Sequence, residues 1–276
     1  MRFLLVAFIT VVLVSCKNEG VKTEGKTDDL VSSEKIDTLE MKKEILESKQ
    51  FDNGIIISWL EHGNGEKLKA GDVVMIDYKV RLKDSTIIDG NHLLNMDAMP
   101  FIIGFKMQTE GWDFALKNLK VGDFARIKIP SKLARGEKGI EGLVPPNADN
   151  YLAIRILSKE TPTRNADGNK VWVFEENAKN KSRFNENTKI VFHAMASSPS
   201  SPMYFNSYRT NVPFELRLED NGVVPGLKKA LINAKKGDRM FVLVKSEDAY
   251  NSKGYMDIVK PNEDLFFNVL VMDVLD

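Results

Sequence analysis

The chain has 276 residues, 43% hydrophobic and 28% charged, with 39 Lys and Arg against 39 Asp and Glu. That length suits two cores of about 100–130 residues better than one. A net charge of zero without a basic stripe argues against a nucleic-acid binder, and the ordinary composition argues against a disordered or fibrous chain.

The first residues read as a targeting segment. Met1 and Arg2 supply a positive start, and residues 3–14 form an apolar run too short for a stable membrane span. The run ends in Leu13-Val14-Ser15-Cys16, which resembles the bacterial lipobox, so residues 1–16 are expected to be a lipoprotein signal peptide with Cys16 the lipidated residue. An ordinary signal peptide with an isolated cysteine is the alternative. Cys16 is the only cysteine in the chain, as suits an exported protein that uses no disulfides. The expected location is the cell envelope, held to the membrane by the lipid at Cys16. Residues 17–45 are rich in Lys, Glu, Ser, Thr and Asp, which points to a flexible tether. Its far end, residues 39–48, has the composition of a short helix.

A first folded domain is expected over 46–160. Residues 54–60 are β-branched and aromatic, and 73–82 place Val74, Ile76, Tyr78, Val80 and Leu82 on alternate positions, the pattern of a strand with one buried face. A short strand at 100–104 precedes GWDFALKNLKVGD at 111–123, an amphipathic helix closed by a Gly-Asp turn. Residues 124–129 alternate again, 133–150 form a long Gly- and Pro-containing loop, and 151–157 make a last strand. The class is α+β, an antiparallel sheet folded over one short helix.

The order GxGxxxxxGDxVxxxY from Gly63 to Tyr78, then Ile87 and Asp89, Gly111-Trp112, ALxxxKVGD, Ile129-Pro130, LARGEKG and VPPNA…LAIRIL resembles the FKBP family of peptidyl-prolyl cis-trans isomerases across nearly all of 54–159. Residues 161–170 are polar and turn-rich, the composition of a linker. Beyond it, over 171–276, the first domain recurs at a constant offset of 115: Gly111 meets Gly226, Ala115 meets Ala230, Gly122-Asp123 meets Gly237-Asp238, Ala134 meets Ala249, Lys138-Gly139 meets Lys253-Gly254, and Pro146-Asn147 meets Pro261-Asn262. Such a fixed register indicates a tandem copy, so two FKBP-like domains are expected.

Rotation about an X-Pro bond breaks amide conjugation against a barrier of about 18–20 kcal/mol and needs no nucleophile, metal or cofactor. An apolar bowl that excludes water favours the twisted state, whose carbonyl is less polar. The resemblance implies Trp112 as the floor of that bowl, with Tyr78 and Asp89 as its polar partners. It implies Ile88, Thr109, Val144 and Leu152 as substrate-binding positions, with a further wall that falls on Met99 if the segment is aligned from Gly104 or on Phe101 if it is aligned from Pro100. Gln108 and Thr109 stand where the family has apolar residues, and Arg135 stands for a loop tyrosine. In the second copy Leu227 replaces the Trp and Ala194 the Tyr, while Phe205, Phe214, Val223, Val224, Tyr250 and Phe267 match the walls. Each of these residues also has a plain reading as core or turn. The three histidines, His62, His92 and His193, share no metal-ligand spacing and read as surface or packing residues. The expected activity is prolyl isomerisation in the first domain, acting on proline-containing polypeptide segments, with no nucleic acid, metal or cofactor involved. The alternative is a non-catalytic chaperone or interaction module of the same shape.

Overall fold

In the computed structural model the described residues are 43–175 and 181–276. They form two seven-stranded sheets with the same strand order. The first contains β1 (Glu47–Gln50), β2 (Ile56–Glu61), β3 (Val73–Arg81), β4 (Ile87–Gly90), β5 (Met99–Ile102), β6 (Phe124–Ile129) and β7 (Asn150–Glu160). Its order is β1-β2-β6-β7-β3-β4, with β5 also on β3. The second contains β8 (Arg164–Ala166), β9 (Asn169–Glu175), β10 (Lys189–Ser197), β11 (Phe205–Asn206), β12 (Phe214–Leu216), β13 (Arg239–Val244) and β14 (Leu265–Leu275), in the order β8-β9-β13-β14-β10-β11 with β12 on β10. One short helix accompanies each: α1 (Glu110–Leu116) and α2 (Pro225–Leu231). The expected class, α+β with two antiparallel sheets in tandem and one short helix for each, is the observed one.

The residues that recur at the offset of 115 share a backbone cause. Gly122 and Gly237 both take φ +91, a left-handed conformation that costs glycine little, and each donates its N–H across to a long strand, at 2.8 Å to Ile156 O and Val271 O. Gly139 and Gly254 are also left-handed, and a Cβ there would lie 2.2 Å from Val144 O and 2.5 Å from Val259 O. The same two loops carry left-handed Asn147 and Asn262, and both begin on a serine N–H held at 2.9 Å by an aspartate, Ser131 by Asp149 and Ser246 by Asp264. Thus the repeat in sequence is a repeat of turn geometry.

Two expectations change. Of the helix proposed over 39–48, residues 47–48 lie in β1, paired with β2, and 39–42 lie outside the described residues. The stretch 161–170 is more than a linker. Arg164–Ala166 pair with β9 through a turn at left-handed Asp167 and Gly168, because Asn165 Oδ1 accepts the Gly168 N–H at 2.6 Å. Cys16 and most of the tether also lie outside the described residues.

Packing divides the chain differently from the repeat. One compact unit comprises the described residues of 1–62 together with 77–99 and 123–155, and the other comprises 63–76, 100–122 and 156–276. In the first unit Trp59 Nε1 donates to buried Asp123 at 3.0 Å, and the Arg155 guanidinium lies 4.6 Å over the ring of Phe124. The second unit has two apolar clusters. The larger surrounds Leu227, Ala230 and Leu231 of α2 with Phe192, Val242, Val244, Phe267 and Val269. Gly226 lets α2 approach β13, because a Cβ there would meet Val244 Cγ1 at 2.3 Å. The smaller cluster joins Val73, Ile102 and Phe105 to Trp172, Phe241, Leu243 and Phe266. That is why Val73, on the face of β3 opposite Val74, is fully buried although the alternation leaves it outside.

His193 is buried on β10, its Nδ1 3.0 Å from Ser207 Oγ and its ring stacked 4.7 Å from Tyr208. Burial lowers its pKa below the usual 6.5. The unfolded chain therefore takes up the proton first on acidification, so His193 stabilises the fold above pH 6.5 and that contribution is lost as pH falls below it. Urea unfolding at about pH 7.5 and about pH 5.5 should give a smaller pH-dependent loss in His193→Gln than in the parent. An equal loss in both would remove His193 as the cause.

Candidate functional site

Tyr78 stands on β3 with its ring almost wholly buried. Asn91 holds its backbone, since Asn91 Oδ1 accepts the Tyr78 N–H at 2.8 Å while its Nδ2 donates to Met96 O and Asp97 O at 2.8 and 3.1 Å. The Tyr78 hydroxyl donates to Asp89 Oδ1 at 3.1 Å and lies 3.8 Å from Met99 Sδ. Asp89 is on β4, where the same oxygen accepts the Gly90 N–H at 2.8 Å. Burial raises the Asp89 carboxyl above its usual range, and the two hydrogen bonds and the Arg135 guanidinium act the other way. The Tyr78 phenol is pushed far up, first by burial and then by the Asp89 carboxylate. The product is a tyrosine-carboxylate pair held by two adjacent strands, the Tyr78 ring buried and Asp89 half-buried.

The influence of Arg135 on Asp89 carries no signal in the sequence, because Arg135 lies in a loop far along the chain from β4 and reads only as a lost tyrosine. Arg135 is itself largely desolvated, which lowers its pKa, while Asp89 supports its charge. Ile88 is buried on β4, Val144 is buried and bridges Ile140, and Leu152 is buried on β7.

In the second compact unit Trp112, in the first turn of α1, is buried and stacks on Phe101 with ring centroids 5.5 Å apart. Asp113 fixes the approach to this helix. Its Oδ1 accepts the Gly104 N–H at 2.7 Å and its Oδ2 the Lys106 N–H at 2.9 Å, tying the loop after β5 to α1. Those bonds oppose burial, the larger effect, which raises the Asp113 carboxyl. Thr109 occupies the N-cap position without using its side chain to cap, and its buried Oγ1 has no hydrogen-bond partner among the described residues. An N-cap threonine ordinarily bonds the second or third N–H of its helix. Thr109 keeps a donor and acceptor in reserve.

The second repeat gathers its predicted residues without the polar pair. Ala194 and Leu227 occupy the Tyr and Trp positions, both buried. Phe205, Phe214, Val223, Val224 and Tyr250 pack, half-buried, on the core cluster that includes Leu227 and Phe267. Phe214 stacks on Phe192 at 5.3 Å and tilts against Phe205 at 4.9 Å. Tyr250 stacks on Tyr255 at 4.7 Å and is hydrogen-bonded to Tyr204, whose phenol burial raises. This is an aromatic rim with hydroxyls and without a carboxylate. Among the described residues no group of three or more His, Cys, Asp or Glu is placed to hold a metal, and no helix is long and apolar enough to cross a membrane.

A family model described as FKBP-type peptidyl-prolyl cis-trans isomerase matches residues 64–157 and again 180–272. The chain is 36% identical over 102 residues to the 46 kDa FK506-binding nuclear protein of Spodoptera frugiperda, covering 37% of this chain and 24% of that protein. It is 22% identical over 217 residues to the peptidyl-prolyl cis-trans isomerase FKBP10 of Mus musculus, covering 75% of this chain and 35% of that protein. The chain thus spans 24% and 35% of the length of these two relatives. The crystal structure of the three FKBP domains of wheat FKBP73 aligns with a TM-score of 0.40 and 24% identity over 81% of this chain and 96% of that one.

Proposed function

The chain belongs to the FKBP-type peptidyl-prolyl cis-trans isomerase family, and from that premise we propose that it isomerises X-Pro bonds in extended segments of exported or envelope proteins. The first repeat performs the reaction, with Tyr78, Asp89 and Trp112 as its principal residues. One contrast within the molecule carries this reading. The first repeat has the Tyr78–Asp89 hydrogen bond and the Phe101–Trp112 stack, and at the corresponding positions the second has Ala194 and Leu227.

The chemistry asks little of the side chains. The planar amide is protected by a barrier of about 18–20 kcal/mol, and the twisted amide is its less polar form. Apolar walls such as Ile88, Met99, Phe101, Val144 and Leu152 disfavour the planar carbonyl's solvation, and aromatic faces hold the pyrrolidine ring. The unused hydroxyl of Thr109 is a donor for a client carbonyl. The test is the rate of cis-trans exchange of a Pro-containing peptide with the full chain, measured by NMR exchange spectroscopy. No acceleration above background with the fold intact would overturn the enzymatic reading. It would leave the second one, a binding module whose apolar contact is the half-buried rim of Phe205, Phe214, Tyr250 and their neighbours.

Lipidation at Cys16 completes the proposal, supported by the apolar run and Leu13-Val14-Ser15-Cys16. Cys16→Ser is expected to move the protein from the membrane fraction to the soluble fraction of a bacterial host. Retention of the variant in membranes would exclude the lipid as its anchor.

A further inference from the structure

Asn-Gly occurs three times in the chain, at Asn53-Gly54, Asn64-Gly65 and Asn221-Gly222. An asparagine before glycine can cyclise, because the glycine nitrogen reaches the side-chain carbonyl carbon with no Cβ in the way. The attack needs a glycine N–H that can lose its proton and a backbone that can turn. Gly54 meets neither condition. Its N–H donates to Phe51 O at 2.8 Å, it is held at φ +87, and Asn53 Oδ1 accepts the Ile55 N–H at 3.1 Å. The Gly65 N–H donates to Val121 O at 3.2 Å, and the residue is packed so closely that a Cβ would lie 2.7 Å from Val121 Cβ. Asn221-Gly222 differs from both. The two residues are exposed, and neither has a hydrogen-bond partner among the described residues. Their loop is fastened on either side of them. Before them, Lys228 Nζ donates to Leu218 O at 3.1 Å and to Asp220 O at 2.6 Å, and Asp220 Oδ2 accepts the Arg217 N–H at 2.7 Å. After them, Val224 O accepts the N–H groups of Leu227 and Lys228 at 3.1 and 3.3 Å, and Pro225 opens α2. The Asn-Gly pair is the crest between those anchors.

We propose that Asn221 is a site of spontaneous deamidation in the native protein, with water as the only co-reactant. The Gly222 nitrogen loses its proton to solvent and bonds to Asn221 Cγ, the Cγ–Nδ2 bond breaks, and ammonia leaves with the balancing proton. Water then opens the succinimide at either carbonyl, giving aspartate or isoaspartate with nothing oxidised or reduced. Both products replace a neutral amide with a carboxylate, and isoaspartate also inserts a methylene into the main chain. The change falls just before Val223 and Val224, which pack half-buried on the core cluster of the second repeat. The modified form therefore carries an added negative charge where the chain enters that rim. The reaction uses no activity of the protein and stands whether or not the isomerase reading does.

The experiment incubates the full chain in mildly alkaline buffer, once native and once unfolded in guanidinium chloride, and locates the products by digestion and mass spectrometry. In the native chain the mass gain of an amide-to-acid exchange is expected at Asn221. Asn53 and Asn64 should react about tenfold more slowly, the effect of an engaged N–H and a fixed turn on the barrier. The unfolded chain should react at all three sites at similar rates. Labelling by an isoaspartyl methyltransferase should report isoaspartate in the incubated native chain and lose that signal in Asn221→Gln. Gly222→Val keeps Asn221 and tests the nucleophile. Gly222 is not left-handed and a Cβ there would meet nothing within 4 Å, so the fold accommodates the side chain, whose branched carbon obstructs the attacking nitrogen. Modification of that variant should slow about tenfold or more. Equal rates at the three sites of the native chain, an unchanged rate in Gly222→Val, or a native chain that stays unmodified at Asn221 while the unfolded one reacts, would each overturn the proposal.

Discussion

Trp112→Leu should lower kcat/KM for an X-Pro peptide by about tenfold or more, a loss of about 1.4 kcal/mol of transition-state stabilisation. Leucine is the informative replacement because it is the residue that the second repeat carries at this position, Leu227, also fully inside its core. The exchange keeps the helix apolar and removes the aromatic face that stacks on Phe101 at 5.5 Å. Such a stack contributes about 0.5–1.5 kcal/mol beyond the area it buries, so some stability is lost as well. Trp59→Phe separates the two effects. It leaves Asp123 without the indole N–H at 3.0 Å and destabilises the fold, yet its activity per folded molecule should remain that of the parent. Equal losses of activity per folded molecule in both variants would reduce Trp112 to a packing residue. An unchanged rate in Trp112→Leu would move the reaction away from this residue.

Phe266→Ala is expected to cost about 3–5 kcal/mol in stability, the range for deleting a buried phenyl ring. Phe266 is buried edge-on to Phe241 at 4.8 Å and lies 6.3 Å from Phe105. Its cluster draws Val73, Ile102 and Phe105 from the first repeat and Trp172, Phe241 and Leu243 from the second. The loss should therefore appear as a lower midpoint in a single urea transition rather than as early melting of one half. Two separated transitions, with only the second repeat affected, would refute this shared core. The cluster also predicts the behaviour of a fragment that ends at Glu160. It leaves Val73, Ile102 and Phe105 uncovered, so the isolated first repeat is a poor vehicle for measuring the native activity, and the intact chain is the right one.

Much of the architecture is legible in the sequence. The alternation in 73–82 and 124–129 gives strands β3 and β6, the Gly111–Asp123 stretch gives α1, and the offset of 115 gives the second sheet before any coordinate is known. These signals are local, because side-chain period, left-handed glycines and Gly-Asp turns each act within a few residues. Composition cannot distinguish a polar linker from a hairpin edge. Residues 164–166 become β8 because β9 is there to pair with them, a fact outside the segment itself.

For the site, the sequence shows, through its resemblance to the family, which residue types stand at the expected positions and that the second copy has Ala194 and Leu227 at two of them. Tertiary structure decided what those residues do to one another. It joined Tyr78 to Asp89 and Met99, brought the Arg135 guanidinium to bear on Asp89, and used Asp113 to tie the loop after β5 to the helix that carries Trp112. It also buried Val73 on the face that alternation assigns to solvent, and it gave the Gly65 N–H to Val121 O while giving that of Gly222 no acceptor among the described residues. The division has one physical reason. Backbone preference and apolar period are properties of a short stretch of chain, whereas desolvation, charge pairing and the engagement of a turn's N–H depend on which distant residues the fold brings near.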